Sequence, residues 1–333
     1  MGSQRLIWID ALKGIGILLV MLSHYSDMGS ISKYLFSSYM PLFFIVSGYT
    51  AKQENFKSCF IKKSKRLLIP YFIYGITITA CFTILPAIIF GIKKIHLFKW
   101  IGLFYSRYCI FPIGTSDNVI LLYQEVSPLW FLTAMFLSFL LYNIYINSKR
   151  KVIIIVLYIT LTVIFNFCPI LMPWSIDTIF VFSLFIITGK YIRSILIIKK
   201  GKEFLIGILF LFMYIVLAYY NGDVNISIRN YGERGILSIL FYYTEGLLFT
   251  IFLSKIFIKM GNNPLIILFS SIGRLSLRLM CLHMPIFIII KTINPSYSVI
   301  TSIISLLLSI SICYIIDIYI RRFKHKYNIL NHL

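Results

Sequence analysis

Acidic residues are scarce in this chain. Eleven Asp and Glu stand against 32 Lys and Arg in 333 residues, which leaves 13% of positions charged and a net charge of +21. A water-soluble fold of this length keeps far more of its surface charged, so a soluble domain is excluded. The familiar soluble catalytic motifs are missing as well. There is no G-x-S-x-G elbow, no Walker loop and no H-E-x-x-H, which removes the support for hydrolase, ATPase and zinc-protease chemistry of those kinds. Six cysteines, at 59, 81, 109, 168, 281 and 313, form no C-x-x-C pair and no metal-ligand grouping, so free thiols and no metal are expected.

Hydrophobic side chains fill the space that charge leaves: 59% of the chain, with a mean hydropathy of +0.89. Apolar segments near 8–26, 36–51, 67–90, 128–147, 152–168, 176–189, 204–220, 235–254, 272–290 and 297–319 are of the order needed to cross about 30 Å of hydrocarbon. The expectation is an all-α, polytopic transmembrane helix bundle of about ten helices, forming a single integral membrane domain over 1–333. The first segment carries Asp10 and Lys13 and no small-residue cleavage site follows it, so it reads as a retained helix and not a signal peptide.

The basic residues lie between the apolar segments, on alternate loops. One set of loops, including 52–66 and 190–203, holds 21 Lys and Arg; the opposite set holds eight. By the positive-inside rule the richer set and both termini face the cytoplasm. A nucleic-acid partner is not expected, because such proteins gather basic residues on a stripe of a soluble fold. The outer connection 91–127 is long and apolar, with Trp100, Tyr105 and Phe111, and reads as an interfacial segment or a lid. The outer loop 221–234, NGDVNISIRNYGER, suits a hydroxyl-rich ligand and a plain turn equally.

Ionisable residues inside apolar segments are costly to insert and mark candidate functional positions. The first helix has three: Asp10, Lys13 and His24. At about 100° per residue they fall within a sector of roughly 60°, with Lys13 and His24 about 16 Å apart along the axis. Lys13 also sits where a salt bridge to Asp10 would neutralise both. FIKKSKRLLIP at 60–70 is a basic patch with two readings: topogenic charge, or a dock for the phosphates of a nucleotide cofactor on Lys62, Lys63, Lys65 and Arg66. Glu245 and Asp317 are expected to pair with Arg274 or Arg278. His283, in LMCLHMP, is either catalytic or packed.

Several segments in order resemble one family. They are RLIWIDALKGIGILLVMLSHY (5–25), MPLFFIVSGY (40–49), KKSKRLLIPYF (62–72), SPLWFL (127–132), MPWSIDTIF (172–180) and IGRLSLRLMCLHMP (272–285). Together they look like the membrane-bound acyltransferase 3 family, in particular its glycan O-acetyltransferase branch related to fucose 4-O-acetylases. Lys13 and His24 match the family's basic-x10-His signature. Lys13 stands where many members carry Arg, which keeps charge and loses bidentate geometry. Tyr39 stands where related sugar acetylases often have His, so no role of that histidine carries over.

The resemblance implies an O-acetyltransferase of the bacterial inner membrane. Acetyl-CoA would be the donor, and a cell-surface glycan or its lipid-linked precursor the acceptor. Arg66 and its lysine neighbours would meet the CoA phosphates, His24 would act as base or acyl carrier, and Asp10 would fix Lys13. Trp130, with Ser47 and His283, would lie on the acceptor side. The rival reading is a transporter or flippase of lipid-linked sugars, although no inverted repeat is visible; a glycan polymerase ranks below it.

Overall fold

The computed structural model describes residues 6–25, 32–90, 109–112, 119–122, 127–192, 196, 203–293 and 299–330. In chain order the helices are α1 (Ile7–Tyr25), α2 (Ser32–Phe36), α3 (Tyr39–Tyr49), α4 (Phe56–Lys63), α5 (Ile69–Phe90), α6 (Trp130–Asn147), α7 (Lys151–Asn166), α8 (Ile179–Tyr191), α9 (Glu203–Asn221), α10 (Leu237–Met260), α11 (Pro264–Arg274), α12 (Ser276–Ile293) and α13 (Val299–Leu330). A two-stranded antiparallel hairpin, β1 (Cys109–Pro112) with β2 (Val119–Leu122), is formed within the 91–127 connection. Ile110, Phe111, Val119 and Ile120 in its strands are β-branched or aromatic, types that favour a pleat. The rest of that connection, except Ser127, lies outside the described residues, as does most of 190–203.

Five of the described helices are long and apolar enough to span a membrane: Ile7–Tyr25, Trp130–Asn147, Leu237–Met260, Ser276–Ile293 and the stretch Ile300–Arg322 of α13. Their neighbours turn large apolar side chains outward. Val152, Ile153 and Val156 on α7, Leu205 and Phe212 on α9, and Ile300 and Leu307 on α13 are all more than half exposed. Contiguous apolar faces of this kind are unstable in water and match hydrocarbon. The chain is a multi-pass membrane protein.

Two compact units make up the chain. The first joins the chain's two ends, Met1–Met28 and Met260–Leu333. Here α1 packs along α11, and α12 packs on α13. The α1–α11 crossing is lined by glycine: a Cβ on Gly14 would strike the Phe269 carbonyl, and one on Gly273 the Asp10 carbonyl. Small residues let membrane helices approach backbone to backbone. The segment read as a span at 272–290 is found as α12, with its start shifted to Ser276. α11 ends at Arg274 and α12 starts at Ser276, with Leu275 between them. α11 is capped at its start by the Asn263 side chain, which accepts from the Leu265 N–H, with Pro264 at the first helical position.

The second unit is Gly29–Lys259. α3 packs on α8, and α6 packs on α8 and α4. The α3–α8 crossing repeats the glycine device reciprocally, since a Cβ on Gly48 would meet the Ile186 carbonyl and one on Gly189 the Ile45 carbonyl. α3 has 11 residues, so it rises about 16 Å and falls short of a bilayer by itself. It begins after a turn at Ser37–Ser38, where Ser38 Oγ donates to the Leu35 carbonyl at 2.8 Å and so caps the end of α2. Between α4 and α5 the backbone widens into a π turn, Ser64–Leu68. Pro70 lacks the N–H that would bond the Arg66 carbonyl, and a π turn absorbs that lost bond.

Candidate active site

In the first unit, α1 places Asp10, Lys13 and His24 on one helix. Lys13 Nζ lies 3.6 Å from Asp10 Oδ1, the expected one-turn pair, with Asp10 buried and Lys13 partly so. His24 is at the other end of α1, partly buried, and its ring centre is 5.5 Å from that of His283 on α12. That pairing brings together residues 259 positions apart, which the sequence spacing does not show.

His283 is fully buried, and its Nδ1 is 2.7 Å from the Leu279 carbonyl. A carbonyl only accepts, so Nδ1 carries the proton and Nε2 keeps a lone pair. That Nε2 has no partner among the described residues. The adjoining wall is hydroxyl-rich. Tyr25 Oη donates to the His283 carbonyl at 3.1 Å and lies 3.0 Å from Ser309 Oγ, while Ser302 Oγ donates to the Tyr25 carbonyl. Pro285 sits within α12 and leaves the Cys281 carbonyl without its helical donor. Two imidazoles side by side, one with its tautomer set by a backbone carbonyl, can accept and hold a hydroxyl proton.

The basic patch divides into paired and unpaired cations. Lys62 Nζ is 2.6 Å from Glu54, and this bond, with Ser58 also donating, holds the Glu54 carboxyl below its usual range. Lys63 stands 3.2 Å over the Phe139 ring. Burial, with Arg66 beside it, pushes its ammonium down to about 8. Lys65 and Arg66, on the π turn, are exposed and have no ion-pair partner among the described residues. Those two are the cations left to grip an anion.

Trp130 is buried and stacks with Phe182, next to Phe131 and Phe44. Ser47 is partly buried one residue before the Gly48 crossing. Asp317 pairs with Arg278, as expected, and also with Arg321 at 2.6 Å. Glu245 is buried on α10 of the second unit, with Ser37 and Asn221 as its polar neighbours. Arg274, in the first unit, is exposed. No group of His, Cys, Asp and Glu fit to hold a metal exists among the described residues.

One buried pair escaped the sequence reading. Arg229, with a positive φ of 59°, reaches Asp177 at 2.7 Å and also donates to the carbonyls of Ile170 and Cys168. Trp174 and Ser175 next to it also have positive φ, unusual for side chains of their size. The signal available in sequence was an Asp in MPWSIDTIF and an Arg in the polar 221–234 loop, with nothing to connect them.

The acyltransferase domain of the acyltransferase 3 family matches residues 6–318, running through both units. The chain belongs to that family. No curated protein and no solved structure gives a significant match. This acyltransferase therefore carries its family's domain over nearly its whole length, with His24 and His283 in one unit and the basic π turn in the other. The family makes it an enzyme, consistent with transfer of an acyl group to a hydroxyl oxygen.

Proposed function

We propose that this acyltransferase moves an acetyl group from acetyl-CoA to a hydroxyl of a cell-surface glycan or its lipid-linked precursor, with His24 as the base. The observation that carries the reading is the His24–His283 pair beside an orphaned imidazole nitrogen on a multi-pass chain of this family. An alcohol is a poor nucleophile toward a thioester, and a positioned base supplies about 10²–10⁴ in rate. His24 takes the hydroxyl proton, the new C–O bond forms, the C–S bond breaks, and the imidazolium returns the proton to the leaving thiolate. His283 stands next to it as a neutral lone-pair holder. Asp10 holds Lys13 on the same helix.

The donor phosphates are assigned to Lys65 and Arg66, the unpaired cations of the π turn, with Lys63 and Lys62 adding local charge. Ser47 and Trp130 are assigned to the acceptor side. The charge asymmetry supports a cytoplasmic patch and cytoplasmic termini in a bacterial inner membrane. The test is thiol release from acetyl-CoA by purified protein, paired with mass spectrometry of surface glycans from cells with and without the gene. Thiol release together with loss of glycan acetylation in the deleted strain is the expected result. A flippase consumes no thioester, so absence of thiol release in both purified protein and membranes sinks the reading.

A further inference from the structure

Within the first unit Tyr25 follows His24 directly, ends α1 and is fully buried. Its hydroxyl is held from two sides. It donates to the His283 carbonyl on α12 at 3.1 Å and lies 3.0 Å from Ser309 Oγ on α13. A phenol has one proton, and with that proton on the carbonyl Ser309 is the donor toward Tyr25; Ser309 shares its own hydrogen with the Ser305 carbonyl at 2.7 Å. The other end of the same residue is tied as well. Ser302 Oγ donates to the Tyr25 carbonyl at 2.5 Å. Ser302 and Ser309 are two turns apart, about 10 Å along α13, so Tyr25 lies along that helix with its backbone and its hydroxyl each fastened.

The carbonyl that Tyr25 takes belongs to a turn of α12 that is short of one bond. Pro285 has no N–H for the Cys281 carbonyl, and His283 sits midway between the two. Proline turns are where helices bend, and inside a membrane neighbouring helices steady them with side-chain bonds. Tyr25 supplies such a bond at this turn. Nothing between the two imidazoles does the same. His283 Nδ1 is spent on the Leu279 carbonyl and its Nε2 has no partner among the described residues, so no bond between the rings sets their 5.5 Å separation. That separation is set by backbone, and Tyr25 joins the two backbones: it is the next residue to His24 and is bonded to the carbonyl of His283.

We propose that Tyr25 is a positioning residue of the transfer reaction: its hydroxyl ties the Pro285 turn of α12 to α1 and α13 and so holds His283 against His24. The inference deepens the acyltransferase reading and rests on it for the use made of the histidine pair. A reacting group misplaced by about 1 Å can lose about 10² in rate, so one tether behind the pair is enough to govern kcat. The Tyr25 hydroxyl is committed to two protein atoms, which leaves the proton transfer itself to the imidazoles. Its ring also packs on Phe287, with ring centres 4.7 Å apart, a contact that needs no hydroxyl.

Tyr25→Phe keeps the ring and removes only the tether. In purified full-length protein, kcat for thiol release from acetyl-CoA falls about 10- to 100-fold per folded molecule, while KM for acetyl-CoA stays within about twofold. Ser309→Ala, which removes the second hold on the same hydroxyl, shows the same split in smaller measure. A second change in α12 gives the readout that simple packing would not move. Pro285→Ala returns the N–H to the Cys281 carbonyl and stiffens the same turn from within, so in the Tyr25→Phe background it recovers kcat several-fold. Hydrogen exchange read by mass spectrometry tests the tether with no acyl donor present: amides of α12 around His283 exchange at least about tenfold faster in Tyr25→Phe, and those of α11 do not change. Absent thiol release in the wild type would therefore sink the acyltransferase reading and leave the tether measurable. Three results overturn the proposal. They are wild-type kcat in both Tyr25→Phe and Ser309→Ala, unchanged exchange in α12, or a loss of kcat that Pro285→Ala does not relieve.

Discussion

His24 and His283 illustrate why a single residue's role depends on what faces it. Spacing along α1 puts His24 on the Asp10–Lys13 side of the helix, and the Asp10–Lys13 contact is legible because residues three apart on a helix are neighbours. The histidine pair is not legible in that way, for it depends on α12 folding back from the far end of the chain. We expect His24→Ala to accumulate normally and lose acyl transfer by at least about 10²-fold, with His283→Ala milder, measured as thiol release at equal protein level. Near-wild-type transfer in His24→Ala would move the base to His283. At the basic patch, Arg66→Ala should raise KM for acetyl-CoA more than that for the glycan, because a contact remote from the reacting carbon acts as binding energy. Lys63 adds a pH signature. Its ammonium, down to about 8, is charged below that pH and neutral above it. Donor KM should therefore climb between pH 7 and 9, and Lys63→Arg should flatten the climb; a flat wild-type profile removes Lys63 from the dock.

Elements are held by two devices that hydropathy alone does not display. The first is the glycine crossing, used by α1 with α11 and by α3 with α8. Gly273→Ala and Gly48→Ala should each lower the amount of folded protein in membranes, since the clash is with backbone and no rotamer relieves it. Normal accumulation and Tm in both would mean that the helices can slide apart at little expense. The second is the Arg229–Asp177 clamp. Arg229→Ala removes the cation from a fully buried carboxylate and should destabilise by about 3–5 kcal/mol, whereas replacing both residues with apolar ones should recover part of the loss. Most helix positions were readable from apolar runs, because run length and bilayer thickness constrain each other. The turn at Leu275, the shortness of α3 and the β1–β2 hairpin were not, because each depends on local hydrogen bonding that the length of an apolar run does not report. Asp317 with Arg278 was foreseen from the cost of isolated charge.

At the scale of the whole molecule, the apolar outer faces fix the solvent as lipid, and the lysine and arginine distribution supports an orientation. Reporter fusions after Tyr49 and after Leu333 should both report the cytoplasm; an outside signal from either would revise the path of the chain. The unit that contains the histidines is also discontinuous, made from Met1–Met28 and Met260–Leu333. That arrangement has a consequence in time. α1 leaves the ribosome roughly 240 residues before α11 and α12, and at 5–20 residues per second it waits about ten to fifty seconds for them. During that interval its ionisable side chains are in the membrane without their eventual neighbours. The Asp10–Lys13 pair is local to one helical turn and can form at once, so it shields the nascent helix while it waits. The histidine pair cannot form until α12 follows, near the end of synthesis.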